Sequence, residues 1–242
     1  MMKVLLFLLL LAVAAGVAAK VFQARADDWW SASREPLGIA PDPATTPEAV
    51  VQVYAARTYG WRGAFGVHTW IAVKPGNAPA YTIYEVIGWR HYRGHSALAV
   101  HQQAPDRRWF GNDPEVVAQA RGAGVDDLIR RIHDAAMAYP FADTYRVWPG
   151  PNSNTFTAHV LRAVPELRAD LPPTAIGKDY LTGGLPVART TSGTGFQFSV
   201  LGLLGIAAGI EEGVEVNILG LTFGIDPLDL TLKMPGVGRL GV

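Results

Sequence analysis

The 242-residue chain contains no cysteine, no net charge and few charged residues. Without cysteine there is no disulfide framework, no thiolate zinc site and no cysteine nucleophile. Lys plus Arg number 21 and Asp plus Glu number 21. A chain so balanced lacks the clustered cationic excess that nucleic acid demands, so no nucleic-acid partner is expected. Charged residues make up only 17% against 49% hydrophobic, which argues against bulk disorder. No internal repeat is visible. The length suits one domain with decorations.

What is present begins with an apolar start. Lys3 precedes an unbroken apolar run from Val4 to Ala19, and Lys20 then interrupts it before Val21 and Phe22. Residues 1–26 read either as a signal peptide, with Ala24-Arg25-Ala26 as the cleavage site, or as a membrane anchor spanning Val4 to Phe22 as a transmembrane helix. Either reading expects the chain in the cell envelope, periplasmic or anchored in the inner membrane, with the membrane as a partner through this segment. Beyond residue 26 the formal charge is −3.

Residues 27–47, with Trp29, Trp30 and four prolines, read as an extended arm. The paired Trp could sit at a membrane interface or pack on the domain. Residues 48–195 form the main α+β domain. Val50 to Thr58 is a strand. Ala64 to Lys74 alternates, with Val67, Thr69, Ile71 and Val73 on one face and His68, Trp70 and Ala72 on the other. Tyr81 to Trp89 is its hairpin partner after the Pro75-Gly76-Asn77 turn, and Ala97 to Gln102 is a third strand. Helices are expected from Asp113-Pro114 to Gln119, over 126–139, and from Asn152 to Val164. A loop fills 171–194. Residues 196–242 are a Gly-rich tail read as a β-hairpin turning at Glu211-Glu212-Gly213. Its run from Val200 to Ile210 is too short to cross a bilayer.

Pro149-Gly150-Pro151 delivers Asn152-Ser153-Asn154 to a helix start. That end carries unpaired N–H groups and a positive dipole end, which favour an ionising nucleophile and an oxyanion. Ser153 is therefore a candidate nucleophile, and Asn152 a residue that positions the loop or an oxyanion. Equally, Asn and Ser are favoured N-caps and do no more than start many helices. His68 and Glu85 lie on paired strands. A His beside a carboxylate is the orienting pair of a catalytic triad, and a His in a strand is also an ordinary packed residue. The reading expects Ser153 within hydrogen-bond reach of His68, directly or through one water.

Other polar residues carry less. His91 and His95 have helical metal-ligand spacing, but Gly94 and the β-like surroundings argue against a helix, and no third ligand is evident. His159 lies far around its helix from Ser153. Lys178 and Asp179 read as a solvated turn ahead of a pocket lining, Glu211 and Glu212 as turn charges. No metal and no cofactor are expected.

His68 in HTWIAV, Glu85 in YEVIG and the helix start NSNTFTAHV, in that order, resemble circularly permuted papain-like proteins. These include the lecithin retinol acyltransferase-like and NlpC-type amidase groups. The resemblance implies a permuted papain-like α+β fold, an antiparallel sheet with packed helices. It also implies an amide or ester hydrolase or acyltransferase acting on an acyl or peptide ligand. Ser153 stands where those groups carry a Cys, so the site is a Ser-His-Glu site, or a retired cleft that only binds. The whole chain from about Ser31 resembles a bacterial family of unknown function through WRGAFGVHTWIAVK, WPGPNSNTF and LPPTAIGKDY.

Overall fold

A computed structural model describes residues 29–241. The fold is α+β, with two antiparallel sheets and a few packed helices. The first sheet has the order β4-β3-β2-β1-β5, built from β1 (Val50–Arg57), β2 (Val67–Lys74), β3 (Thr82–Val86), β4 (Leu98–Gln102) and β5 (Glu115–Arg121). Short α1 (Gly88–Tyr92) follows β3, and a 3-10 turn, Gly60–Ala64, precedes β2. Two longer helices, α2 (Val125–Met137) and α3 (Ser153–Ala163), cover one face.

β2 is buried along its whole length, and β1 as far as Ala56, because this sheet is covered on both sides. Val51, Val53, Ile71 and Val73 pack with Leu128 and Ile132 of α2 and with Phe156 and Val160 of α3. The alternate residues Tyr54, Trp70, Ala72 and Ile83 pack against Trp109 and Phe110. The segment carrying those two aromatics is pinned by the arm. Leu37 N donates to Asp106 O at 3.1 Å, and Ile39 N donates to the Asp106 carboxylate at 2.7 Å. Trp29 packs on Phe110, 5.4 Å between ring centres, whereas Trp30 stays exposed.

Three local expectations are corrected. The helix expected at 113–119 is strand β5, because Val116, Ala118 and Gln119 find an open edge on β1, to which they add antiparallel. Tyr81 to Trp89 divides into strand β3 and helix α1. The tail is more than a hairpin. Residues from Val187 onward form a seven-stranded antiparallel meander in sequence order: β6 (Val187–Arg189), β7 (Phe196–Val200), β8 (Leu204–Gly209), β9 (Gly213–Ile218), β10 (Leu221–Asp226), β11 (Thr231–Met234) and β12 (Gly238–Leu240). The expected turn at 211–213 is the β8–β9 connection.

Beneath this sheet lies a buried ionic network, so Lys178-Asp179 is not a solvated turn. Lys178 Nζ donates to Asp179 at 3.0 Å and to Glu215 at 2.5 Å, and Lys233 Nζ donates to Glu215 at 2.9 Å and to Asp170 at 2.6 Å. Glu212 is likewise buried, accepting from Ser192.

The transmembrane helix, and the membrane contact it was to make, are also corrected. Among the described residues no helix is long and apolar enough to cross a membrane. The segment Val4 to Phe22 lies outside the described residues.

Candidate functional site

The β2–β3 register pairs Ala72 with Ile83, so His68 and Trp70 share a face with Glu85. His68 Nε2 meets Glu85 Oε2 at 2.8 Å, with His68 4% and Glu85 0% exposed. Two groups not anticipated from the sequence complete the cluster. His101 Nε2 on β4 meets Glu85 Oε1 at 2.8 Å, and Arg107 Nη2 donates to the same oxygen. His101 was legible in principle, since it stands opposite Ile83 on the third strand. Arg107 was not, because it comes from an irregular loop. His68 stacks on Trp109, at 3.7 Å between ring centres, with Trp70 beside it at 5.7 Å. The Arg107 guanidinium lies 5.1 Å from the Trp109 ring centre.

The charge states follow. Burial alone would raise the Glu85 carboxyl. Hydrogen bonds from His101 and His68 and the Arg107 charge outweigh it, holding Glu85 well below the usual carboxylate range. Burial pushes His68 down, against the pull of Glu85, so the ring is neutral near pH 7. An ionised carboxylate only accepts, so Nε2 of His68 must carry the proton. The lone pair is then on Nδ1, which has no hydrogen-bond partner among the described residues.

The α3 start is set by Asn152. Its Oδ1 accepts from the N–H groups of Asn154 at 2.9 Å and Thr155 at 3.2 Å, while Thr155 Oγ1 accepts from Asn152 N, a reciprocal capping box. Its Nδ2 donates to Val147 O and Ile176 O, both at 3.0 Å. Both amide donors are spent on backbone, so Asn152 positions the loop and has none left for an oxyanion. LPPTAIGKDY explains itself here: Gly177, at φ +100°, lies so close that a Cβ would come 2.5 Å from the Asn152 amide. Asn154 ties the helix to β2, its Nδ2 donating to Val67 O at 3.1 Å and its Oδ1 accepting from Thr69 at 3.0 Å.

Ser153 is thus the first residue of the helix but not its cap. Its hydroxyl and its N–H have no hydrogen-bond partner among the described residues. No hydrogen bond joins it to His68. β2 explains why: Val67 and Thr69 face α3, whereas His68 points to the opposite face. The two reach common ground at the start of the strand, where both line a cavity of about 610 Å³. Its wall is aromatic, with Trp29, Trp61, Trp89, Trp109 and Trp148 together with Tyr59, Tyr92, Tyr145 and Phe110. Its few polar groups include His68, Arg62, Asn152, Ser153 and Asn154. An apolar cleft of this size with few convergent polar groups is the usual form of a small-molecule site.

The remaining candidates lie elsewhere. His91 does fall on a short helix, α1, and His95 follows it. Among the described residues no group of three or more His, Cys, Asp or Glu is placed to hold a metal ion. His159 Nε2 donates to Ala135 O at 3.2 Å, and its Nδ1 pairs with the Thr182 hydroxyl at 2.8 Å.

No curated protein and no solved structure matches the chain. Residues 48–180, which carry every member of the His68–Glu85–Ser153 constellation, match the family described as "protein of unknown function (DUF3750)", and as this is more than half of the sequence the chain belongs to that family.

Proposed function

We propose that the protein is an amide or ester hydrolase or acyltransferase whose nucleophile is Ser153, in a permuted papain-like arrangement of strand-borne His and helix-borne nucleophile. The observation that carries this reading is the opening of two groups on one aromatic cavity: a neutral His68 oriented by ionised Glu85, and an uncapped Ser153 at a helix start. In the reaction the Ser153 oxygen bonds to the carbonyl carbon while its proton passes to His68 Nδ1. The Ser153 N–H, left free by the cap, donates to the carbonyl oxygen as it becomes negative. The imidazolium then returns the proton to the departing amine or alcohol, leaving an acyl-serine. Water or an acceptor alcohol resolves it. Catalytic hydrogen bonds are often long in the free enzyme and close around substrate, so the missing Ser153–His68 bond is compatible with the role. The export-like start of the sequence supports a periplasmic setting.

The test is labelling with a fluorophosphonate probe, alongside turnover of short-chain and aryl esters. Labelling mapped to Ser153, and lost in Ser153→Ala and His68→Ala, is the expected result. An unlabelled, folded protein without ester turnover refutes the enzyme.

A second reading is a non-catalytic cleft that binds an acyl or peptide group. Arg107 favours it, because by pairing with Glu85 it cancels much of the charge that would stabilise a His68 imidazolium. Here Trp fluorescence would respond to the ligand, and Ser153→Ala would leave binding unchanged.

A further inference from the structure

The second sheet is amphipathic in the inverse sense. Most of its buried positions, among them Gln197, Ser199, Glu215, Asn217, Thr222 and Lys233, are polar and face the α+β domain. Its outward positions are apolar. The register lines Val187, Phe198, Ile206, Val216 and Phe223 up in one row across five strands. A second row runs through Phe196, Ala208, Val214, Ile225, Leu232 and Leu240, and a third through Val200, Leu204 and Ile218. Arg189 is the one charged residue among these rows. Exposure is large: Phe196 66%, Ile206 52% and Val216, in the central strand, 41%.

Seven strands about 4.8 Å apart, three to six residues long at about 3.3 Å per residue, give a flat footprint of roughly 500 Å². With some thirteen protruding side chains about half exposed, the accessible area is on the order of 1,000 Å². That exceeds the ~300–600 Å² of the largest patch on an ordinary monomer and meets the ~800 Å² per partner of a standard interface.

We infer that this face is covered by the same face of a second copy of the chain, two sheets stacking about a two-fold axis into a sandwich. Area favours this occupant. The sequence's own apolar run, Val4 to Ala19, would as a helix cover about 24 Å by 10 Å, around half the footprint. Chemistry favours it over a lipid surface. Membrane-lying faces combine apolar residues with Lys and Arg and carry Trp or Tyr at the interface. This face has one Arg, and none of the chain's 7 Trp or 8 Tyr lies beyond Tyr180. A self-complementary apolar face needs no charge partner, and the polar rows behind it stay sealed against the parent domain.

The test uses the full chain in sedimentation velocity over a series of micromolar concentrations. The expected species is twice the 26.0 kDa chain mass. Val216→Lys, which would leave an unpaired charge in the buried centre, should weaken association at least about a hundredfold with unchanged circular dichroism. A single-chain wild type overturns the inference. So does a folded Val216→Lys that still pairs, and so does a single chain that floats with neutral phosphatidylcholine vesicles through Val216. If Val216→Lys fails to fold, Val216→Cys decides. The chain has no other cysteine, and a bismaleimide of about 10 Å spans stacked sheets. Cross-linked pairs with Val216→Cys but not with Glu115→Cys on the first sheet sustain the inference, and their absence overturns it.

Discussion

Glu85→Gln tests the site most sharply, because the structure dictates which way the new amide must turn. Arg107 Nη2 and His101 Nε2 both donate to Oε1. Only an oxygen can accept them, so the Gln carbonyl must occupy that position. Its NH2 group then faces His68 Nε2, where wild type has an accepting carboxylate oxygen 2.8 Å away. His68 Nε2 must become the acceptor, and its proton moves to Nδ1. The lone pair that would take the Ser153 proton is gone. Known triads lose about 10⁴ in kcat when the orienting carboxylate becomes an amide, so kcat should fall about 10³–10⁴-fold, with KM little changed. Stability should fall by about 3 kcal/mol, since buried Arg107 loses its counter-charge but keeps a hydrogen bond. The assay that does not depend on activity is two-bond proton–nitrogen NMR of histidine-labelled protein, which reports the protonated nitrogen of His68. Wild type with its proton on Nδ1, or a variant whose tautomer is unchanged, would refute the reasoning.

Four further outcomes follow from the same geometry. Asn152→Ala should cost about 1–2 kcal/mol in thermal or urea unfolding, because it removes the cap and two amide donors, while Ser153→Ala should cost well under about 1 kcal/mol. Gly177→Ala should destabilise by more than about 1 kcal/mol by the same measurement, since the left-handed φ and the 2.5 Å approach to Asn152 both oppose a methyl group. Lowering pH should weaken the fold in two steps. His68 lies below its ordinary 6.5 when folded, so the unfolded chain binds the extra proton and stability declines as pH falls from 6.5 through the folded value. Glu85 contributes fully above its ordinary 4.5 and is lost as pH falls below that through its depressed folded value. Urea unfolding between pH 7 and 2 checks this, and His68→Gln should shrink the first step, leaving the share of His159, which burial also holds below 6.5. Lys178→Met should cost about 3–5 kcal/mol in urea unfolding, as it leaves Asp179 and Glu215 buried with less counter-charge.

Local pattern determined a good deal of this protein. The β-branched run at Val50, the alternation through His68 and the turn at Pro75-Gly76-Asn77 place β1, β2 and β3, because strand pairing and side-chain alternation are short-range properties. They place His68 and Glu85 on neighbouring strands, but only the register that pairs Ala72 with Ile83 puts the two on one face, since a one-residue slip would turn Glu85 away. The α3 start was legible for the same reason, yet two roles competed for Asn152 and Ser153. Only the backbone of 147, across the proline loop, and of 176–177, distant in sequence, made Asn152 the cap and freed Ser153. Tertiary structure alone supplied Arg107 and gathered the five Trp of the cavity, because the paths of their segments follow from contacts rather than from periodicity. It also decided β5 and the second sheet. At Val116 an open neighbouring edge outweighed the helix start signalled by Asp113-Pro114. In the tail the alternation of apolar with polar was visible, but its sense was not. A sequence records which residues alternate. Which face turns toward water depends on what lies on the other side, and here that is the charged network of Lys178, Asp179, Glu215 and Lys233.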